Sequence, residues 1–208
     1  DGKGFLMELA CETDFVAKGE KFIELADSVA DALVGSDATN AEEALKAPMG
    51  SSTVGEQITN EAAILGEKVE LRKFAAASAD SFDAYMHRTS KDLPPQVGVL
   101  LGYSGGDADV AHDVAVHIAA FSPIYMSRED VPADLVEKER SIAEETARNE
   151  GKPEQALPKI VEGRVTGFFK ENVLLDQAFA KDPKQSVGQV LESAGVKVSS
   201  FIRFRVGA

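Results

Sequence analysis

One pentapeptide invites a search for catalysis. Gly102-Tyr103-Ser104-Gly105-Gly106 has the Gly-x-Ser-x-Gly spacing of a nucleophile elbow and lies between an apolar strand pattern and a helical one. A serine in that setting needs a histidine to take its proton and an acid to orient the histidine. In the usual hydrolase order both follow the serine, yet the last histidine is His117, on the very next helix. The reverse set, His87, Asp92 and Ser104, falls within one hairpin-sized segment. Ser104-Gly105-Gly106-Asp107 reads more simply as a turn that doubles a strand back into a helix. Metal chemistry is no better served. His112 and His117 are five positions apart, about 140° around a helix, so they do not share a face. Cys11 is the only cysteine, which excludes an internal disulfide and a cysteine-based zinc site. No phosphate loop and no Gly-x-Gly-x-x-Gly opens a helix, so any action on nucleotides must pass through another protein. We expect no cofactor and no metal.

A different kind of site is visible in Glu12-Thr13-Asp14-Phe15-Val16, between a strand and a helix. Two readings are open. Thr13 or Asp14 caps a helical turn while Phe15 and Val16 tuck into the core. Alternatively, Phe15 stands on the loop as an aromatic anchor for a partner.

The elements around these residues follow from periodicity. Residues 5–11 alternate as a strand, with Phe5, Met7, Leu9 and Cys11 on one face and Glu8 and Glu12 on the other. Phe22, Ile23, Ala26, Val29, Ala30 and Leu33 recur at helical spacing. Residues 35–55 read as a loosely helical connection, and 57–66 as a short helix. Residues 69–77 and 82–86 read as strands of a hairpin turning at Ala79-Asp80-Ser81. Lys91-Asp92-Leu93-Pro94-Pro95 breaks the pattern and marks a boundary, giving units 1–92 and 93–208.

Beyond the boundary the strand–helix order returns. Residues 97–103 form a buried strand, and a helix near 109–121 turns Val110, Val114, Ile118 and Phe121 inward. An insertion at about 130–170 follows. Asp130 is placed to cap a helix begun by Pro132 and carrying Leu135, Val136, Ile142 and Ala143. Gly151-Lys152-Pro153 stops it, and Leu157, Val161, Val165 and Phe168 stripe a second helix. Together they read as an antiparallel hairpin with arms of about 25 Å, protruding from the sheet. A last helix has a capping box, Ser186 with Gln189, and Gly195 past its end; residues 198–206 close with a strand. The fold class expected is α+β: two similar subdomains with antiparallel sheets and packed helices, the second carrying the coiled-coil-like helical hairpin.

The chain has 208 residues, 44% hydrophobic, and a net charge of -13. That length suits one large domain or two small ones. That charge repels phosphate backbones and anionic lipid, so neither nucleic acid nor membrane is an expected partner. No run approaches the roughly 18 apolar residues of a membrane helix. With a lone cysteine, a cytoplasmic location is expected. Asp1-Gly2-Lys3-Gly4-Phe5 has neither an initiator Met nor a signal-type stretch, so further residues are expected upstream.

Thr13-Asp14-Phe15-Val16-Ala17-Lys18, after Cys11-Glu12, resembles the signature of the elongation factor Ts family. Four further stretches agree in order along the chain. They are Gly66-Glu67-Lys68-Val69-Glu70-Leu71-Arg72; His117-Ile118-Ala119-Ala120 with Pro123; Gly151-Lys152-Pro153 with Ile160-Val161-Glu162-Gly163-Arg164; and Phe201-Ile202-Arg203-Phe204 with Val206-Gly207. The resemblance implies a guanine-nucleotide exchange factor without covalent chemistry that binds elongation factor Tu and promotes GDP release in translation. It implies that Thr13, Asp14, Phe15 and Val16 intrude on the partner's nucleotide domain and disturb its magnesium site, which favours the anchor reading of Phe15. It places Gly98 and His117 at or near a second partner contact, and Asp113 where a relative has a second histidine. Members also begin with a small helical module, which would precede Asp1. Two other functions stay open beside this one: an assembly module that grips a partner through the hairpin without altering a nucleotide, and an esterase dependent on Ser104.

Overall fold

The computed structural model describes residues 2–207. β1 (Gly2–Cys11) runs into a single helical turn, α1 (Asp14–Ala17), and then α2 (Glu20–Leu33). α2 buries Phe22, Leu25, Val29 and Leu33, a stripe at the helical repeat. Ile23, expected inward, is 41% exposed, one step off that stripe. The loosely helical stretch expected over 35–55 is helical only in α3 (Ala41–Leu45), capped by the Asn40 side chain. The two-residue strands β2 (Pro48–Met49) and β3 (Ser52–Thr53) follow and pair with each other. α4 (Val54–Leu65) opens with a Thr53–Glu56 capping box and ends on Gly66 at φ 76°.

β4 (Val69–Ala79) pairs antiparallel with β1, and its helices cover one face. β5 (Ser81–His87), β6 (Val97–Ser104) and β7 (Lys197–Arg205) form a second antiparallel sheet in the order β5-β6-β7. The hairpin expected between 69–77 and 82–86 therefore does not form. Asp80 alone separates β4 from β5, too few residues for the two-residue turn of an antiparallel pair. The chain instead turns a corner there and changes sheet.

α5 (Ala108–Phe121) packs on the second sheet through Ala111, Val114, Ala115 and Ile118. Phe121, expected inward, is 52% exposed, because His117 takes the core position on the last turn. α6 (Ala133–Asn149) and α7 (Leu157–Asn172) pack through Ala143, Val161 and Val165, flanked by Val136 and Phe169. Ion pairs Arg140–Glu162 (2.8 Å) and Arg148–Glu154 (3.1 Å) run between the two chain segments in antiparallel register. Ile142 is 47% exposed, off the contact stripe. Asp130 does not cap α6. Its carboxylate accepts from the Ser127 N–H and hydroxyl in the preceding turn, and Pro132 itself holds the N-cap position. α8 (Val187–Ala194) has the expected Ser186–Gln189 box and left-handed Gly195.

The two sheets lie face to face, and glycines set their spacing. A Cβ at Gly98 would lie 3.0 Å from a Leu6 methyl, and one at Gly102 would lie 2.9 Å from the Ala79 Cβ. Close backbone approach of this kind is where strand glycines have a positional role. The chain is thus mixed α/β with small antiparallel sheets and, among the described residues, eight α-helices. None of them is long and apolar enough to cross a membrane.

Candidate partner-binding site

Thr13 organises the turn after β1. Its hydroxyl accepts from the Val16 N–H at 3.3 Å and so caps α1. Glu67, just ahead of β4, holds Thr13 twice, accepting from its N–H at 3.0 Å and from its hydroxyl. Glu12 adds a parallel tie by accepting from the Lys68 N–H at 3.1 Å. The turn is therefore latched to the start of a second strand. Sequence reasoning had quoted Glu67 without giving it a role; an acidic residue at the start of the strand expected beside β1 was the available signal.

The latched turn sends two neighbouring apolar residues in opposite directions. Val16 is 8% exposed and joins the core of Phe22, Leu25 and Val29. Phe15 is 78% exposed. The capping reading is thus half realised: the cap forms and Val16 tucks in, but Phe15 does not. A ring kept in water forgoes roughly 2–3 kcal/mol of burial, and this one stands on a turn fixed by Thr13 and Glu67. Beside it a cavity of about 110 Å³ opens between Cys11–Asp14 and the stretch 93–96, with Val206 in its wall. The Cys11 thiol is pushed up, first by burial and then by Glu67, so it stays protonated.

His117 is fully buried. Its Nδ1 accepts from the Ala180 N–H at 3.2 Å, which leaves Nε2 as the donor to Gln177 Oε1 at 2.8 Å. Gln177 in turn donates to the Glu171 carbonyl at 2.7 Å. Burial holds the imidazole below its usual pKa, partly offset by the Gln177 bond, so it is neutral near pH 7. Phe121 stacks on it with ring centroids 4.6 Å apart and planes 9° from parallel. Gly98 sits under Leu6 and Met86, at the junction of the sheets. Asp113 pairs with Lys181 at 2.6 Å.

The structure separates Ser104 from His87. His87 pairs with Val97 at one end of the β5–β6 ladder, whereas Ser81 pairs with Tyr103 at the other. Ser104 therefore lies roughly 20 Å from His87 at the ordinary rise per residue. Gly105 and Gly106 both have positive φ, and a Cβ at Gly106 would be 2.5 Å from Val196. That geometry is a tight turn. Among the described residues, no three His, Cys, Asp or Glu side chains are grouped to hold a metal ion.

The family described as Elongation factor TS matches residues 12–208. Elongation factor Ts from Clavibacter michiganensis subsp. michiganensis is 59% identical over 208 residues, covering all of this chain and 76% of the relative. That of Micrococcus luteus is 60% identical over 210 residues, with 76% of it covered. The Leifsonia xyli subsp. xyli protein is 55% identical over 208 residues, with 75% covered. With its latched turn and closing strand inside the family match and its whole length inside the matches to these relatives, the chain belongs to the elongation factor Ts family.

Proposed function

We propose that this translation elongation factor is a guanine-nucleotide exchange factor for elongation factor Tu, acting by contact and without covalent chemistry. Thr13, Asp14, Phe15 and Val16 form the working turn. Thr13 caps it, Val16 anchors it, Asp14 offers an exposed carboxylate, and Phe15 is the wedge. GDP is gripped through backbone N–H groups and a magnesium ion with demanding octahedral geometry. A ring pushed between the partner's supporting elements shifts them slightly, and a close-packed interior transmits that shift to the ion. Factor and GDP then weaken each other's binding reciprocally. Each 1.4 kcal/mol or so of that coupling loosens GDP about tenfold. GTP then fills the emptied site and displaces the factor.

The second contact lies on the other sheet. His117 serves it from beneath by holding Phe121 at the surface, and Gly98 by letting β1 sit close on β6. The paired helices α6 and α7 act as a coiled-coil-like arm, a scaffold or a secondary contact. Reading the chain as two similar units, residues 1–92 and 93–208, belongs to the same proposal. The joint falls between β5 and β6, outside the helices and strands, and β5 pairs across it. The setting is the cytoplasm, where elongation takes place, with neither nucleic acid nor membrane as a direct partner.

The observation that carries this reading is the 78% exposure of Phe15 on a turn latched by Glu67. Release of labelled GDP from purified elongation factor Tu tests it. Addition of the chain should accelerate release, and no acceleration at saturating chain would contradict the proposal.

A further inference from the structure

The face of β1 turned away from its helices reads Gly4, Leu6, Glu8, Ala10. Glu8 stands out in this row. It is 3% exposed, a carboxylate between Leu6 at 4% and Ala10 at 5%. A buried charge is tolerated only with partners, and Glu8 has three. Lys73, its ladder partner on β4, reaches it at 3.0 Å. Arg72 comes within 3.7 Å, brought in by the register shift after Glu8. The Gly207 N–H donates to it at 3.2 Å. Lys73 also donates to the Arg205 carbonyl at 3.3 Å and lies 5.8 Å over the Phe204 ring.

These contacts join three chain segments: the strand that leads into Thr13, the strand beside it, and the end of β7 in the other sheet. Apolar faces such as Leu6 on Gly98 attract but set position loosely. A buried carboxylate held by an ion pair to Lys73 on one oxygen and by a hydrogen bond from the Gly207 N–H on the other restricts position more closely. The two proposed partner contacts lie on opposite sides of this junction, Phe15 beyond β1 and Phe121 on the second sheet. A two-point grip keeps its advantage only while geometry allows both points to engage together.

We infer that Glu8 and Lys73 are positioning residues for exchange: their buried ion pair fixes the wedge-bearing strand against β7 and so sets the span between Phe15 and the second contact. The inference rests on the exchange reading above.

Two variants of the full chain test it, Glu8→Gln and the neutral pair Glu8→Met with Lys73→Met. GDP release from elongation factor Tu is measured against chain concentration, with amide hydrogen exchange measured alongside. In both variants the half-maximal concentration should rise about tenfold while the saturated rate stays within about twofold, since the wedge itself is intact. Exchange should quicken at residues 5–10 and 204–207 and stay unchanged in α6 and α7. If Glu8→Gln fails to fold, the neutral pair decides, because it leaves no orphaned charge. A folded variant with the parent's half-maximal concentration overturns the inference. So does faster exchange spread evenly over the chain, which marks a merely structural role. A parent that fails to accelerate GDP release overturns the exchange reading and this inference together. An active parent matched by its variants overturns the inference alone.

Discussion

Phe15 and Phe121 are the most exposed phenylalanines among the described residues, and they are held at the surface differently. Phe15 stands 78% exposed on a one-turn helix whose backbone is latched by Thr13 and Glu67. Phe121 is 52% exposed at the end of a long helix, its ring laid against a buried histidine. The first is fixed through its main chain and leaves its ring free on most sides. The second is fixed through its ring and can offer only the outer face. A ring that must enter a crevice suits the first arrangement; a ring that meets a surface suits the second.

The comparison breaks most readily at position 15. Phe15→Ala should cut acceleration of GDP release about thirtyfold or more, the ~2 kcal/mol of an aromatic hot spot. Its melting temperature should stay within ~2 °C of the parent, as for an ordinary surface change. Val16→Ala should do the reverse. Losing a buried valine at 8% exposure costs about 2 kcal/mol, or roughly 4–8 °C in melting temperature, with the saturated release rate largely kept. Neighbouring residues giving opposite outcomes would sharpen the division of labour within the turn.

Thr13→Val keeps the side-chain shape and removes the cap. It should cost about 1 kcal/mol and slow release about fivefold by letting Phe15 wander. Phe121→Ala should raise the half-maximal concentration only about threefold, some 0.7 kcal/mol for a contact offering one face. The smallest effect concerns pH. His117 is held neutral, with its folded pKa below the unfolded value near 6.5. The unfolded chain thus takes up that proton first as pH falls. The stability His117 contributes is complete above about pH 6.5 and is lost as pH drops through that value toward the folded one. The melting-temperature gap between the parent and His117→Asn should therefore narrow from pH 7.5 to 5.5.

Much of the frame was legible because it rests on local signals. Alternation marked β1, helical spacing marked α2 and α5, and the Ser186–Gln189 box with Gly195 was readable down to its hydrogen bonds. What the sequence concealed depends on distant segments. Strand patterns show which residues share a face but not which strand lies alongside, so β4 and β5 looked like a hairpin although they belong to different sheets. Phe121 yields the inward place expected for it to His117, whose imidazole is held by partners, Gln177 and Ala180, about sixty residues away. Alternation puts Glu8 on the face opposite Phe5 and Met7 without telling that this face too is covered, a fact that Leu6 and Ala10 on either side of it signal. At the candidate site the turn was visible, but periodicity could not decide between Phe15 and Val16. Glu67, fifty-four positions on, helps make that choice by fixing the turn.

The most direct test of the central claim is a structure of this chain bound to nucleotide-free elongation factor Tu. The account predicts the Phe15 ring inserted between elements that flank the partner's magnesium site, with Val16 still in its own core. A complex in which that ring is folded into its own subunit, or left in solvent away from the nucleotide domain, would contradict it.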